Sequence, residues 1–458
     1  MHDFNQNNIQ MLKEKWKPVL DHPDQVAITD SYRKGVTAIL LENTENATRQ
    51  EAMLGNSNVT MQSLQESPAN VAPTAPDGGA LQYSDPVIIS MIRRSMPNLM
   101  AYDLVGVQPM TGPTGLIFAM KSRYNGQADS GANPEALHDE ADTAFSGDDT
   151  IAHAGTDPFA GATITSNALV DGSGFTTGLP GSTAEAEKLG DGSAMTSDGH
   201  FNQMAFSIDR VSVVAKTRAL KAEYTMELSQ DLKAVHGLDA ESELSTILST
   251  EITAEINREV LRTLYAQAKL GAQSQMTNKG IFDIATDADG RWSVENFKGL
   301  MFHVEREANL IAKETRRGKA NTIVCSSDVA SALAMAGLLD YNPQMDTALQ
   351  VDDTGQTFAG VLNKRMKVYI DPYFSATGGA GNYDFAMVGY RGTSPYDAGY
   401  FYCPYVPMQM VRAVGENTFQ PKIGFKTRYG MVANPFAGGA RANQYYRIFR
   451  VDNINSGA

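Results

Sequence analysis

The chain has 458 residues, enough for about three units at roughly 150 residues per domain and for substantial buried cores. Its formal charge is −14, from 38 Lys and Arg against 52 Asp and Glu, which argues against nucleic-acid binding as the main function. Two cysteines, Cys325 and Cys403, exclude a disulfide framework and lack metal-site spacing, so they are expected as small buried residues in a reducing compartment.

The N-terminal MHDFNQNNIQMLKEKW has no basic segment followed by an apolar one, and no stretch reaches the ~18 apolar residues of a membrane span. A soluble chain without a simple secretion signal is expected. Ile9, Leu12, Trp16 and Val19, then Tyr32, Val36, Ile39 and Leu40, recur at helical spacing. They predict two or three amphipathic helices over residues 1–66, too few for a core of their own. At 67–79 the sequence becomes SPANVAPTAPDGG, whose prolines forbid a helix and leave the backbone extended and accessible.

Residues 81–124 are apolar, and the turn signal GPTG precedes the strand-like LIFAMKSRY at 116–124. Between Asn125 and His200 lie thirteen acidic residues and one basic one, Lys188, so this stretch carries twelve of the fourteen net negative charges. It is rich in Gly, Ser, Thr and Ala and reads as a long solvated excursion, without the spacing of an EF-hand calcium loop. MAFSIDRVSVVAKTRAL at 204–220 partly alternates and predicts a returning strand. The two strands would form an extended arm, which buries too little to stand away from a partner surface.

LKAEYTMELSQDLKAVHG at 220–237 predicts a helix closed by Gly237. Asp239 is the expected cap of a second helix, with Leu244, Leu248, Ile252, Ile256, Val260 and Leu264 at steps of four and an end at Gly271. At about 1.5 Å per residue this is a rod about 45 Å long. Residues 293–317 predict a helix, NTIVCS at 321–326 a buried strand, and 327–337 another helix. RMKVYIDPYF (365–374), DFAMVGYRG (384–392), YVPMQMVRAV (405–414) and QPKIGFKTRYGMVANPF (420–436) read as strands. The sum is an α+β chain with no regular βαβ repeat.

Catalytic signals are absent from the sequence: there is no G-x-S-x-G, H-E-x-x-H or G-x-x-x-x-G-K-[ST], and the seven histidines show no ligand spacing. His236 and His303 read as structural, and ATDADGRW at 285–292 as a turn rather than an ion site. No catalytic residue, metal ligand or cofactor is assigned. Distant residues converging in space would restore an enzyme reading.

The glutamates are segregated. Five precede Ser67, and three of them have Leu two residues upstream: Leu12-Lys13-Glu14, Leu40-Leu41-Glu42 and Leu64-Gln65-Glu66. None of the sixteen that follow has Leu or Ile there. A protease reading an apolar residue and then Glu would cut up the leader and spare the rest, so the composition break at Glu66–Ser67 reads as the end of a removable propeptide. A hydrolase zymogen activated by loss of residues 1–66 is the competing class. An adhesin or surface-layer protein would explain the acidic loop but needs a secretion signal.

Residues 98–124 (NLMAYDLVGVQPMTGPTGLIFAMKSRY), 214–262 and 405–436 resemble the major capsid protein of T-even-type tailed phages, in collinear order over most of the chain. The resemblance implies the capsid fold shared by tailed phages and herpesviruses. In that fold 1–66 would be the propeptide, 67–120 an N-terminal arm and the start of the peripheral domain, and 121–210 an extended loop reaching a neighbour. Residues 211–275 would carry the spine helix of the peripheral domain, 276–400 the axial domain, and 401–458 the return strands. The family's prohead protease cuts after Glu preceded by Leu or Ile two residues earlier, which implies maturation between Glu66 and Ser67. Further cuts would follow Glu14 and Glu42, read through Leu12 and Leu40. The implied partners are other copies of the chain in hexamers and a capsid lattice, the protease, scaffold, vertex and portal proteins, decoration proteins and a folding chaperonin. The implied location is the virion capsid, assembled in the host cytoplasm around DNA that is not read by sequence, with no membrane involved.

Overall fold

A computed structural model describes residues 2–22, 28, 30–54, 92–93, 99–128, 133–138, 140–147, 153, 176–187, 202–273, 276–288, 290, 292–337, 339–341, 358–373, 384–415, 417, 419–435 and 440–454. They fall into two compact units, one of 1–117 with 211–458 and one of 118–210. The α+β expectation holds: long helices accompany three sheets.

The strands in chain order are β1 (Gly106–Val107), β2 (Thr114–Tyr124), β3 (Glu135–Ala136), β4 (Met204–Val214), β5 (Lys216–Glu223), β6 (Ala268–Leu270), β7 (Ile281–Asp283) and β8 (Thr322–Cys325). There follow β9 (Leu339–Tyr341), β10 (Phe358–Leu362), β11 (Met366–Ile370), β12 (Asp384–Gly389), β13 (Tyr400–Val414), β14 (Pro421–Ala433) and β15 (Asn443–Asp452). One sheet runs β1-β13-β14-β5, and β1 joins β13 in parallel. An eight-stranded sheet runs β6-β15-β12-β8-β11-β10-β9, with β7 also on β15. The third is β3-β2-β4.

The long β13–β14 ribbon shifts register twice, between Pro404 and Val406 and between Val406 and Gln409. Pro404 and Pro407 have no N–H to give the ladder, and bulges are the usual accommodation. Thr427 Oγ1 then donates to the freed Val406 carbonyl at 3.1 Å.

Lys216–Glu223 is strand β5, so the first helix starts only at Met226. The returning strand is broken at Ala215, whose N–H donates to Pro113. Gly237 closes the helix as expected, at φ 68°, a left-handed conformation that glycine adopts without strain. Asp239 occupies the N-cap position of the helix Ala240–Gln267, but its side chain makes no capping bond. That helix ends at Gln267, because 268–270 pair with β15. Its buried stripe starts at Ile252 and continues through Ile256, Val260 and Leu264, whereas Leu244 and Leu248 are half-buried.

The helix Ser293–Thr315 lies against β15 and β12, and the helix Ser327–Met335 covers β11 and β12. His303 is buried between aromatic rings, stacked on Phe282 at 4.9 Å and edge-on to Phe449 at 4.7 Å. Cys325 and Cys403 are buried, and burial pushes each thiol up to about 12. Of the turn expected at 285–292, residues 285–287 lie in a turn that starts at 284, with Asp287 accepting from Thr277 N–H and Asp283 N–H, while 289 and 291 lie outside the described residues.

Paired charges tie the elements together. Arg447 of β15 reaches Glu307 at 3.1 Å and Glu314 at 2.5 Å, and Glu307 also accepts the Ala272 N–H at 3.0 Å. Arg258 of the long helix grips the buried Asp371 at 2.7 Å, which also takes the Tyr265 hydroxyl at 2.9 Å. Arg218 of β5 binds Glu255 at 2.6 Å and Glu259 at 2.5 Å on the same helix. Tyr429 donates to Glu259 at 2.6 Å; burial pushes the Glu259 carboxyl up, but the bonds from Tyr429 and Arg218 outweigh it and hold the group below its usual range.

Candidate functional site

Two surfaces stand out. The first belongs to the unit 118–210, where β2 and β4 run side by side. Lys121 pairs with Asp209 at 3.1 Å, and Arg123 Nε donates to Ser207 at 3.0 Å. These contacts put the odd positions of both strands on one face, because strand side chains alternate. The even positions therefore share the other face: Phe118 and Met120 from β2, and Met204, Phe206 and Ile208 from β4. All five are more than half exposed. A ribbon with one polar, internally paired face and one bare apolar face is built to be covered. Phe118-Ala119-Met120 and Met204-Ala205-Phe206-Ser207-Ile208 carry this alternation in the sequence. A strict period-two reading of both strands finds it.

A smaller apolar surface lies at the helix Met226–His236, which buries none of its residues. Met226, Leu228, Val235, Leu238 and Ile247 are exposed there.

The second surface is occupied by the leader. Helices His2–Lys15, Lys17–Leu20 and Ser31–Leu54 pack on the body rather than forming a core of their own. Trp16, Leu20, Val36, Leu40 and Leu41 are buried in one cluster with Tyr102, Val105 and Val107. The first and third helices approach closely at Gly35, where a Cβ would meet Lys13 Cε at 3.1 Å and Ile9 Cγ2 at 3.2 Å.

Polar contacts fix the docking. Arg33 holds both oxygens of Asp103 at 3.1 and 3.2 Å, and Lys367 reaches the same carboxylate at 3.0 Å. Burial pushes the Asp103 carboxyl up, but the Lys367 and Arg33 charges outweigh it and hold the group below its usual range. The Tyr32 hydroxyl donates to the Val107 carbonyl. The Asn43 amide donates to the carbonyls of Met110 and Tyr405, at 2.8 and 2.9 Å. A cavity of about 680 Å³ opens between the first and third of these helices and the loops at 108–111 and 395–396.

Leu64, Gln65, Glu66 and Ser67 lie outside the described residues. Leu12 is half-buried and Glu14 exposed in the last turn of the first helix. Leu40 is fully buried in the third helix, and the Glu42 carboxylate takes Lys15 Nζ at 2.7 Å and the Trp16 indole at 3.2 Å. Burial pulls the Lys15 ammonium down, but its bonds to Glu42 and Glu45 outweigh this and raise it. The sequence reading missed Tyr32, Arg33 and Asn43 as docking residues. Their partners lie 67 to 362 positions away, so no local pattern points to them.

Among the described residues no group of three His, Cys, Asp or Glu side chains is placed to hold a metal, and no helix is long and apolar enough to cross a membrane.

The family described as major capsid protein Gp23 matches residues 81–451. The major capsid protein of Salmonella phage ViI is 40% identical over 435 residues, 93% of this chain and 90% of that protein. That of Enterobacteria phage T4 is 34% identical over 504 residues, 95% of this chain and 94% of that protein. The capsid vertex protein of the same phage is 28% identical over 257 residues, 53% of this chain and 55% of that protein. Among solved structures, the capsid of Myoviridae Phage XM1 aligns over 77% of this chain and 92% of that one, with 9% identity and a TM-score of 0.36. The sequence relatives are structural proteins rather than enzymes, which removes the zymogen reading. The chain belongs to the major capsid protein Gp23 family.

Proposed function

We propose that the chain is the precursor of the shell subunit of a phage head, which joins copies of itself in hexameric capsomers and a closed lattice. The observation that carries this reading is the bare apolar face of the β2–β4 ribbon, Phe118, Met120, Met204, Phe206 and Ile208, which a neighbouring subunit would cover. A lattice repeats each modest contact many times, so no single contact has to be strong. Residues 118–210 act here as the loop that reaches a neighbour, and the exposed end of the helix Met226–His236 offers a second contact.

Maturation on this reading is a cut between Glu66 and Ser67 by a protease recognising Leu64 and Glu66, with further cuts after Glu14 and Glu42 destroying the released leader. Proteolysis is irreversible, so the rearrangement that follows runs one way. Scaffold, vertex and portal proteins, decoration proteins and a folding chaperonin complete the set of partners, in the cytoplasm of the host. Similarity to a protein named capsid vertex protein supports a lattice in which related subunits meet at vertices. The acidic chain would enclose DNA without adhering to it.

Electron microscopy of particles from cells expressing the chain with its scaffold and protease tests this. Closed shells with six-fold rings are expected. Soluble monomer under conditions that assemble a related capsid protein would overturn the reading.

A further inference from the structure

We propose that the leader is a clasp that protects one of its own scissile bonds: while it is seated on the body, the bond after Glu42 cannot be cut, and a cut after Glu66 leaves the leader bound. This rests on reading residues 1–66 as a propeptide.

Everything that a protease reading Leu-x-Glu requires is engaged at Leu40-Leu41-Glu42. Leu40 is fully buried and Leu41 is 1% exposed. The Glu42 carboxylate is held by Lys15 and the Trp16 indole. The bond itself lies inside the 24-residue helix Ser31–Leu54. Protease clefts take their substrate as extended backbone, so cutting here requires unwinding the helix and lifting Leu40 out of the core. The bond after Glu14 is different, since it sits in the last turn of its helix beside an exposed Glu14. The order within the leader is therefore Glu14 before Glu42.

The clasp is bivalent. Tyr32 and Asn43 are eleven residues apart, about three helical turns, so they lie on one face of the helix and reach the body together. Tyr32 and Arg33 hold Val107 and Asp103 at one end, and Asn43 holds Met110 and Tyr405 at the other. The body surface made by these four residues is thus a groove for an amphipathic helix carrying Tyr-Arg and, three turns later, Asn. A cut after Glu66 breaks none of these contacts. A cut after Glu42 separates Tyr32 and Arg33 from Asn43, and each half loses the other's effective concentration.

The test uses the purified full-length chain, a general glutamyl endopeptidase, and intact-mass and native size-exclusion readouts. It involves neither the phage protease nor particles, so it stands apart from whether Glu66 is the natural maturation site. Bonds after Glu42 and Glu45 should survive at least tenfold longer than in an Arg33→Ala/Asn43→Leu variant, and a leader cut after Glu66 but intact at Glu42 should elute with the body. Both substitutions lie in the leader, and the melting temperature of each chain reports whether the body is intact. As a measurement needing no variant, amide hydrogen exchange over 33–45 should be slow, like that of the buried half of the helix Ala240–Gln267. Equal cutting rates in wild type and variant, a leader intact at Glu42 eluting apart from the body after the cut at Glu66, or fast exchange over 33–45 would each overturn the proposal.

Discussion

Replacing Phe118 and Phe206 together by aspartate tests whether the ribbon face is an assembly surface. The two side chains are 60% and 55% exposed, so the folded monomer owes them little. Complete burial of a Phe is worth about 1.5–3 kcal/mol, and the exposed half or more of each ring leaves about 1–1.5 kcal/mol to be gained on docking. Aspartate forfeits that gain and adds the desolvation of a charge in an apolar contact, at least about 1–3 kcal/mol. At least about 2 kcal/mol per side chain, or about 4 kcal/mol for the pair, is close to a thousandfold in association. The double variant should melt within a few degrees of wild type but need at least about a thousandfold more protein to assemble, followed by light scattering and sedimentation. Asp209→Asn is the control: it removes a partly exposed ion pair on the opposite face and should leave assembly within a few-fold of wild type, because such pairs contribute about 0–1 kcal/mol. Assembly of the double variant at the wild-type concentration would refute the role of this face.

Three further outcomes follow from the body and the leader. Glu307→Ala leaves the buried Arg447 guanidinium and the Ala272 N–H without this carboxylate, and should cost about 3–5 kcal/mol in chemical denaturation. Burial lowers the affinity of His303 for a proton, against the opposing charge of Glu307, with Arg306 and Asp287 also facing it. Above the unfolded value of 6.5 the ring is neutral in both states and contributes nothing. As pH falls below 6.5 the unfolded chain takes up a proton that the folded one resists, so stability should fall with pH. His303→Phe, which can stack in the same place between Phe282 and Phe449, should flatten that slope below pH 6.5. Gly35→Leu drives a side chain into Lys13 and Ile9, and should speed amide exchange in the first leader helix while the melting of the body stays unchanged.

Much of the fold is legible because its signals are local. Gly237 marks a helix end, and the Ile252-Ile256-Val260-Leu264 stripe marks a buried helix face, each within a few residues of sequence. Strand β15 shows the opposite case. In NQYYRIFRVD the alternation is broken by Arg447, a charge at a buried position, and only Glu307 and Glu314, more than a hundred residues away, explain it. Leu220–Glu223 reads as the start of a helix, and it becomes the end of strand β5 because β14 offers that strand a complete ladder from Glu223 to Lys216. The leader follows the same rule: its helices are readable from the spacing of Trp16, Val36 and Leu40, but the surface they cover is assembled from residues 103–110 and 405.

The most direct test of the account is the intact mass and N-terminal sequence of the polypeptide in mature, DNA-filled particles. A chain beginning at Ser67, and its loss in a Glu66→Gln variant, is the predicted result. A chain that still begins at Met1 would contradict the account and make the docked helices a permanent part of the shell.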